Sequence, residues 1–312
     1  MVSFNDPLAL SDLVPGRLVR VAPGVQRLVA PNASLMTGPG TNSYVLGEPP
    51  VALLDPGPDD PAHLNLLLQA VPRPLFIFVT HTHSDHSRGA RELAMRTGAP
   101  VVGLPPPQDG RQDEGCVPHI QPAHDALFQL ERGSSDRDGE RSSIAAANAD
   151  RAKSATGAIQ LRAIHTPGHA SNHVCYLLEE LGFLFSGDHV LDGVSPVILP
   201  PDGDMAAYLQ SLHRLKSYPL RAIAPGHGRV LTEPLRVIDQ LIAHRGEREA
   251  KVLARLKELR RATLDELLPR VYDDVRPELL PVARFSLEAH LIKLAREGRA
   301  GREGDTWLAC AA

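Results

Sequence analysis

Cysteine is scarce in this chain: Cys116, Cys175 and Cys310 are widely spaced among 312 residues, with no C-x-x-C. That excludes a disulfide framework and a cysteine-rich zinc site, and it suits a reducing compartment. No run of 18 uncharged apolar residues occurs, so a transmembrane helix is excluded. Residues 1–6 lack the basic and apolar regions of a signal peptide, and a cytoplasmic protein without a membrane partner is expected. Aromatic residues make up 4%, too few for a broad base-stacking platform. Lysine supplies only 5 of 33 basic residues, and the net charge is -4. A generally cationic nucleic-acid binder is therefore disfavoured. There is no G-x-S-x-G elbow to carry a serine nucleophile, and no internal repeat.

Apolar residues are plentiful at 43%, enough for a full core. Their pattern predicts a layered α/β protein. Segments 43–46 and 51–54 flank Gly47-Glu48-Pro49-Pro50 and read as a hairpin. Residues 59–71 have helical spacing behind Asp59-Asp60-Pro61, an N-terminus signature. A strand at 75–79, a helix at 87–96 and a strand at 101–104 follow. Further strands are predicted at 159–164, 174–178, 183–185 and 222–224. A helix at 205–215 precedes the last of these, with Met205, Tyr208, Leu209, Leu212 and Leu215 on one face. Residues 133–157 are rich in Ser, Asp, Arg, Gly and Ala without a sustained apolar period, and predict a mobile insertion.

From Pro234 the chain reads as mostly helical, with a first helix over 234–259. Two further helical segments and a Gly-containing hairpin at 298–308 complete the order of a winged-helix module. The domain boundary is placed at 243/244. The segment 244–312 has a net charge of +2 and the remainder -6. Such a charge-mixed tail suits packing or homodimer formation better than nucleic-acid reading.

Histidine is the residue in excess, with 14 copies. Three fall in Thr80-His81-Thr82-His83-Ser84-Asp85-His86, directly after the predicted strand 75–79. Imidazole and carboxylate are preferred donors to zinc. An extended H-x-H segment points His81 and His83 to one side, and Asp85 and His86 can face a second ion as the chain turns into a helix. Three more candidates end predicted strands: His169 in Thr166-Pro167-Gly168-His169, Asp188 in Ser186-Gly187-Asp188, and His227 in Pro225-Gly226-His227-Gly228. Flanking glycines permit tight turns and close backbone approach. His173 reads as an orienting or structural partner, and His189 as a weaker candidate for a proton donor. All seven candidates precede residue 228, so removal of 244–312 is expected to leave a metal site formed.

The series HTHSDH, TPGH, SGD and PGHG resembles the motif series of metallo-β-lactamase-fold hydrolases over residues 15–243. The resemblance implies an αββα sandwich with two zinc ions. It puts His81, His83 and His169 on the first ion, and Asp85, His86 and His227 on the second. Asp188 bridges both, and Asp85 and Asp188 are the carboxylates closest to the chemistry. Gly40-Thr41-Asn42-Ser43-Tyr44, His244-Arg245 and the winged-helix-like tail also resemble the lactamase-beta-like-2 group. Mitochondrial members of that group are described as single-strand endoribonucleases.

Two zinc ions sharing a water lower its pKa toward about 7, and its hydroxide form attacks a carbonyl or phosphorus centre. A dinuclear zinc hydrolase of a small ester, thioester or lactone is the leading expectation, with a small-molecule substrate. Single-stranded RNA is the alternative substrate. Two other classes stay open: a diiron redox protein, whose H-x-E-x-D pattern has His83 in place of the glutamate here, and a non-catalytic winged-helix regulator.

Overall fold

The computed structural model describes residues 13–49, 51–108, 112–130 and 159–310. The insertion expected at 133–157 lies outside the described residues. Contacts divide the chain into two units. The first comprises Met1–Thr166, Asn172–Val194 and Tyr218–Pro234; the second comprises Pro167–Ser171, Ser195–Ser217 and Leu235–Ala312. No helix among the described residues is long and apolar enough to cross a membrane.

The first unit begins with β1 (Leu18–Ala22), β2 (Val25–Val29), β3 (Asn42–Leu46) and β4 (Ala52–Leu54). Helix α1 (Pro61–Ala70), β5 (Phe76–Phe78), α2 (Ser84–Thr97) and β6 (Val101–Val102) follow. These strands form one sheet in chain order. Pairing is antiparallel as far as β4 and parallel beyond it, where α1 and α2 make the crossovers. The second sheet contains β7 (Leu127–Leu130), β8 (Ile159–His165), β9 (Val174–Leu178), β10 (Phe183–Gly187) and β11 (Ala222–Pro225), in the order β11-β10-β9-β8-β7.

Alternation along the strands sorts their side chains into two cores. Tyr44, Leu54, Phe76 and Phe78 of the first sheet meet Phe128, Leu161, Tyr176 and Phe185 of the second. The intervening Val45, Leu53 and Ile77 pack with Leu64, Leu67, Ala90 and Leu93 of the two helices. Helix α1 starts where Asp60 accepts from His63 N at 2.8 Å. Helix α2 starts at Ser84 rather than 87, because His83 O already accepts from His86 N and Ser87 N. Asp85 and His86 thus occupy its first turn. Strand β7, only four residues long, is absent from the sequence-based expectation.

The second unit contains α3 (Met205–Leu215), α4 (Pro234–Leu259), β12 (Arg261–Thr263) and α5 (Leu264–Val271). A short 3-10 turn, α6 (Leu280–Arg296), β13 (Ala300–Glu303) and β14 (Thr306–Ala309) complete it. Helix α4 starts at Pro234 and ends at Leu259 as expected, running unbroken through 243–244. Thr263 and Glu266 close a capping box at the start of α5. Val252, Leu267, Leu287, Leu291 and Trp307 build a separate core beneath the sheet β12-β14-β13.

Candidate metal centre

The loop from β5 to α2 carries Thr80–His86 along the end of the first sheet. Its orientation is set by Asp55, a residue that sequence reasoning passes over. Asp55 follows β4, which pairs with β5, so it arrives beside Thr80. It is 1% exposed, with φ 47°. Its carboxylate accepts from Thr80 N at 2.7 Å, Thr80 Oγ1 at 2.8 Å and His86 Nδ1 at 3.0 Å. Since the Thr80 hydroxyl hydrogen goes to Asp55, Thr80 Oγ1 accepts from His81 Nδ1 at 3.0 Å. Each of these histidines therefore presents Nε2 as its coordinating atom. His81 Nε2 lies 2.9 Å from His83 Nδ1. His86 Nε2 lies 3.2 Å from Asp188 Oδ1 and 3.5 Å from Asp85 Oδ2.

The strand ends β10 and β11 bring Asp188 and His227 to the same place. Asn42 Nδ2 donates to Pro225 O and Gly228 O at 2.9 Å each, and Tyr44 OH donates to Pro225 O at 2.7 Å. The Gly40–Tyr44 run thus clamps the Pro225–Gly228 turn. His227 Nδ1 donates to Gly40 O at 3.2 Å. Its Nε2 faces Asp85 Oδ2 at 3.3 Å and Asp188 Oδ1 at 3.4 Å. Thr41 Oγ1 donates to Asp85 Oδ2 at 3.2 Å. Gly226 is required by closeness: a Cβ there would stand 2.5 Å from His86 Cε1 and 2.6 Å from Asp188 Oδ1.

Charge is concentrated here. Burial would raise the Asp188 carboxyl, but His227 and His86 outweigh it and hold it well below the usual range. Asp85 is likewise depressed, chiefly by His86, against its own burial. Burial would lower the two imidazoles, yet the carboxylates raise His86 well above its ordinary value and His227 to about 9. His81 is pushed well below its ordinary value by burial and by His86, His83 and His173.

This donor set fits a divalent cation. His86 Nε2 is buried and has no hydrogen-bond partner among the described residues, although donor atoms surround it. Within the first unit, two groups have ligand atoms within 4.8 Å of one another: His81, His86 and Asp188, and Asp85, His86 and His227. His86 sits in both. Soft ligands are missing from the set, and nitrogen with oxygen suits zinc and its neighbours.

His169 belongs to the second unit, on the strip Pro167–Ser171. Its Nδ1 donates to Val197 O at 2.7 Å, so its coordinating atom is again Nε2. His173 is buried, bonded through Nδ1 to Thr166 Oγ1 at 2.9 Å, and stacked on His81 with centroids 5.0 Å apart. His189 is fully buried, its ring 5.6 Å from His173. Burial pushes the thiols of Cys116 and Cys175 up to about 12, which disqualifies both as thiolate nucleophiles.

Comparison with known proteins agrees with this arrangement. The family profile described as Metallo-beta-lactamase superfamily matches residues 36–113 and 125–227. The profile described as Beta-lactamase associated winged helix domain matches residues 263–307. A Beta-lactamase-like protein 2 homolog from Drosophila melanogaster is 30% identical over 295 residues, covering 92% of each chain. An atrochrysone carboxyl ACP thioesterase from Paecilomyces divaricatus is 29% identical over 320 residues, covering 93% of this chain and 87% of that protein. Among solved structures, a beta-lactamase domain protein from Burkholderia ambifaria superposes with a TM-score of 0.72 at 21% identity, over 99% of this chain and 97% of that one. A metallo-beta-lactamase family protein from Thermus thermophilus gives 0.68 at 24% identity, over 92% and 99%. Both likenesses concern the fold.

Proposed function

The chain belongs to the metallo-beta-lactamase superfamily of hydrolases, and from that premise we propose a dinuclear, zinc-dependent hydrolase of small carboxylic thioesters and esters. The observation that carries the dinuclear reading is that Asp188 groups with the first-ion ligand His81 within 4.8 Å, while its Oδ1 stands 3.2 and 3.4 Å from the second-ion ligands His86 Nε2 and His227 Nε2. His81 and His83 serve the first ion, to which the motif series also assigns His169. Asp85, His86 and His227 serve the second, and Asp188 serves both. Bound zinc supplies an acidified water and a Lewis acid for the substrate oxygen.

The protein's own part is orientation. Asp55 fixes the tautomers of His81 and His86, Gly40 O fixes that of His227, and Val197 O fixes that of His169. Thr41 anchors Asp85 through its Oδ2 as a ligand of the second ion. With all seven side chains committed as ligands, none of them remains to protonate a leaving group. A thiol has a pKa near about 8.5 and departs as thiolate without such help. That favours a thioester over a substrate whose leaving group is an alkoxide. The thioesterase names carried by relatives of similar length support the same substrate class.

The test is a panel on purified, metal-analysed protein. It contains acyl-carrier and S-lactoylglutathione thioesters, aryl esters, a homoserine lactone, nitrocefin and single-stranded RNA. We expect close to two zinc ions per chain and preferential thioester hydrolysis. No metal after chelator-free purification, and none on reconstitution, would remove the dinuclear reading. Cleavage of RNA without turnover of any ester or thioester would remove the substrate assignment.

A further inference from the structure

The second unit, taken by itself, ties the candidate ligand His169 to the C-terminal tail. The strip Pro167–Ser171 is fastened to 195–211 at each step. Pro167 O accepts from Ser211 Oγ at 2.8 Å, and Gly168 O from Asp204 N at 2.8 Å. Ser171 N donates to the Asp202 carboxylate at 3.2 Å. His169 Nδ1 donates to Val197 O at 2.7 Å. Gly168 has φ 146°, and a Cβ on it would lie 2.3 Å from Tyr208 Cα, so the strip presses directly on α3.

The neighbours of Val197 are held by the tail. Pro196 O accepts from Arg245 Nη2 of α4. Ile198 N donates to Ser286 Oγ of α6 at 3.5 Å. The carbonyl that orients His169 is thus bracketed on both sides. Arg245 is 3% exposed, and its guanidinium lies over the Tyr208 ring, 5.4 Å from the centroid. One side chain therefore supports both Pro196, which precedes the carbonyl behind His169, and the residue beneath Gly168.

Building on the dinuclear reading, we propose that Arg245 is a positioning residue for metal binding, setting the His169 ring through Pro196, Val197 and Tyr208. A buried guanidinium is costly unless its donors and face are used, and an apolar side chain would fill the same space more cheaply. What the guanidinium alone supplies is a rigid planar donor for Pro196 O and a flat cation for Tyr208. Partners standing behind metal-binding histidines act in this way, fixing ring angle and tautomer. Removal of 244–312 would then disturb the metal site, contrary to the expectation from ligand positions alone.

The experiment is a zinc titration by chelator competition on the full-length protein. Wild type is compared with Arg245→Gln, Ser286→Ala, His169→Ala and the double variant Arg245→Gln/His169→Ala. We expect Arg245→Gln to weaken one of the two ions by about 10- to 100-fold while leaving the other unchanged. Ser286→Ala should weaken the same ion to a smaller degree, and it carries the test if Arg245→Gln does not fold. In the His169→Ala background, Arg245→Gln should change affinity no further. The 15N resonance of the His169 ring should shift in Arg245→Gln and in Ser286→Ala. Folded variants that bind both ions with wild-type affinity would overturn the proposal. So would an Arg245→Gln loss that persists without His169, since that marks general loosening. Wild type without zinc would remove the dinuclear reading as well, whereas wild type with two ions and unaffected variants removes this inference alone.

Discussion

Asp188 concentrates the argument at the scale of single residues, because one carboxylate oxygen faces two imidazoles from different elements. Asp188→Ala is expected to abolish hydrolysis in a protein that still folds, with the melting transition of the chelated form lowered because the buried His86 and His227 lose a counter-charge. A variant with near-wild-type turnover and two bound ions would show the assignment to be mistaken. His63 offers a different test at the same scale. Burial lowers its pKa to about 4, against 6.5 for the exposed ring. The unfolded chain therefore takes up a proton between those values that the folded ring refuses. Stability should fall as pH drops from about 6.5 to about 4 and level off below, with His63 contributing of order 3 kcal/mol to the total change. Denaturant unfolding of wild type and His63→Gln across this range checks it: equal slopes for both proteins would contradict the assignment.

Elements differ in how much of themselves they reveal. The turn from β5 into α2 is legible because four potential ligands crowd seven residues behind an apolar run. Helix α4 is legible from Pro234 and from its apolar period. Strand β7 is not, since four residues give too short an alternation to separate from a loop. Asp55 escapes for another reason. In sequence it is an aspartate before Pro56-Gly57, the signature of a turn, and its role arises only when β4 pairs with β5. The same holds for Arg245 and Pro196, which meet across 49 residues of chain. Phe78 tests the layering itself. It is fully buried and meets Phe128 of β7 and Tyr176 of β9 at 5.2 and 5.1 Å. Phe78→Ala should cost about 3–5 kcal/mol in a chemical-denaturation experiment. A cost below about 1 kcal/mol would mean that the two sheets do not share this core.

At the scale of the whole molecule, charge decides between a small substrate and RNA. The chain carries a net charge of -4, with the slight excess of cations in the tail. Those cations are largely committed. Arg245 is buried against Tyr208 and Pro196 O. Arg248 pairs bidentately with Asp274 at 2.7 and 2.8 Å, and Arg255 pairs with Glu258 at 2.8 Å. Lys251 is bound to Asp273, and Lys293 to Glu249 and Glu297. A phosphate would have to displace a carboxylate from each of the last four and cannot reach the buried Arg245, so the tail's charge adds little to affinity for a polyanion. Single-strand binding that depends on phosphate contacts loses affinity with a log–log salt slope of about -0.7 per contact. We expect weak binding to single-stranded RNA, with a shallow slope worth one or two contacts, and no measurable complex at physiological salt. Fluorescence anisotropy on a labelled oligonucleotide across a salt series measures this directly. Tight binding that persists at physiological salt, with metal-dependent cleavage lost in His83→Ala, would make RNA the better substrate and show that the paired arginines exchange their carboxylates for phosphates.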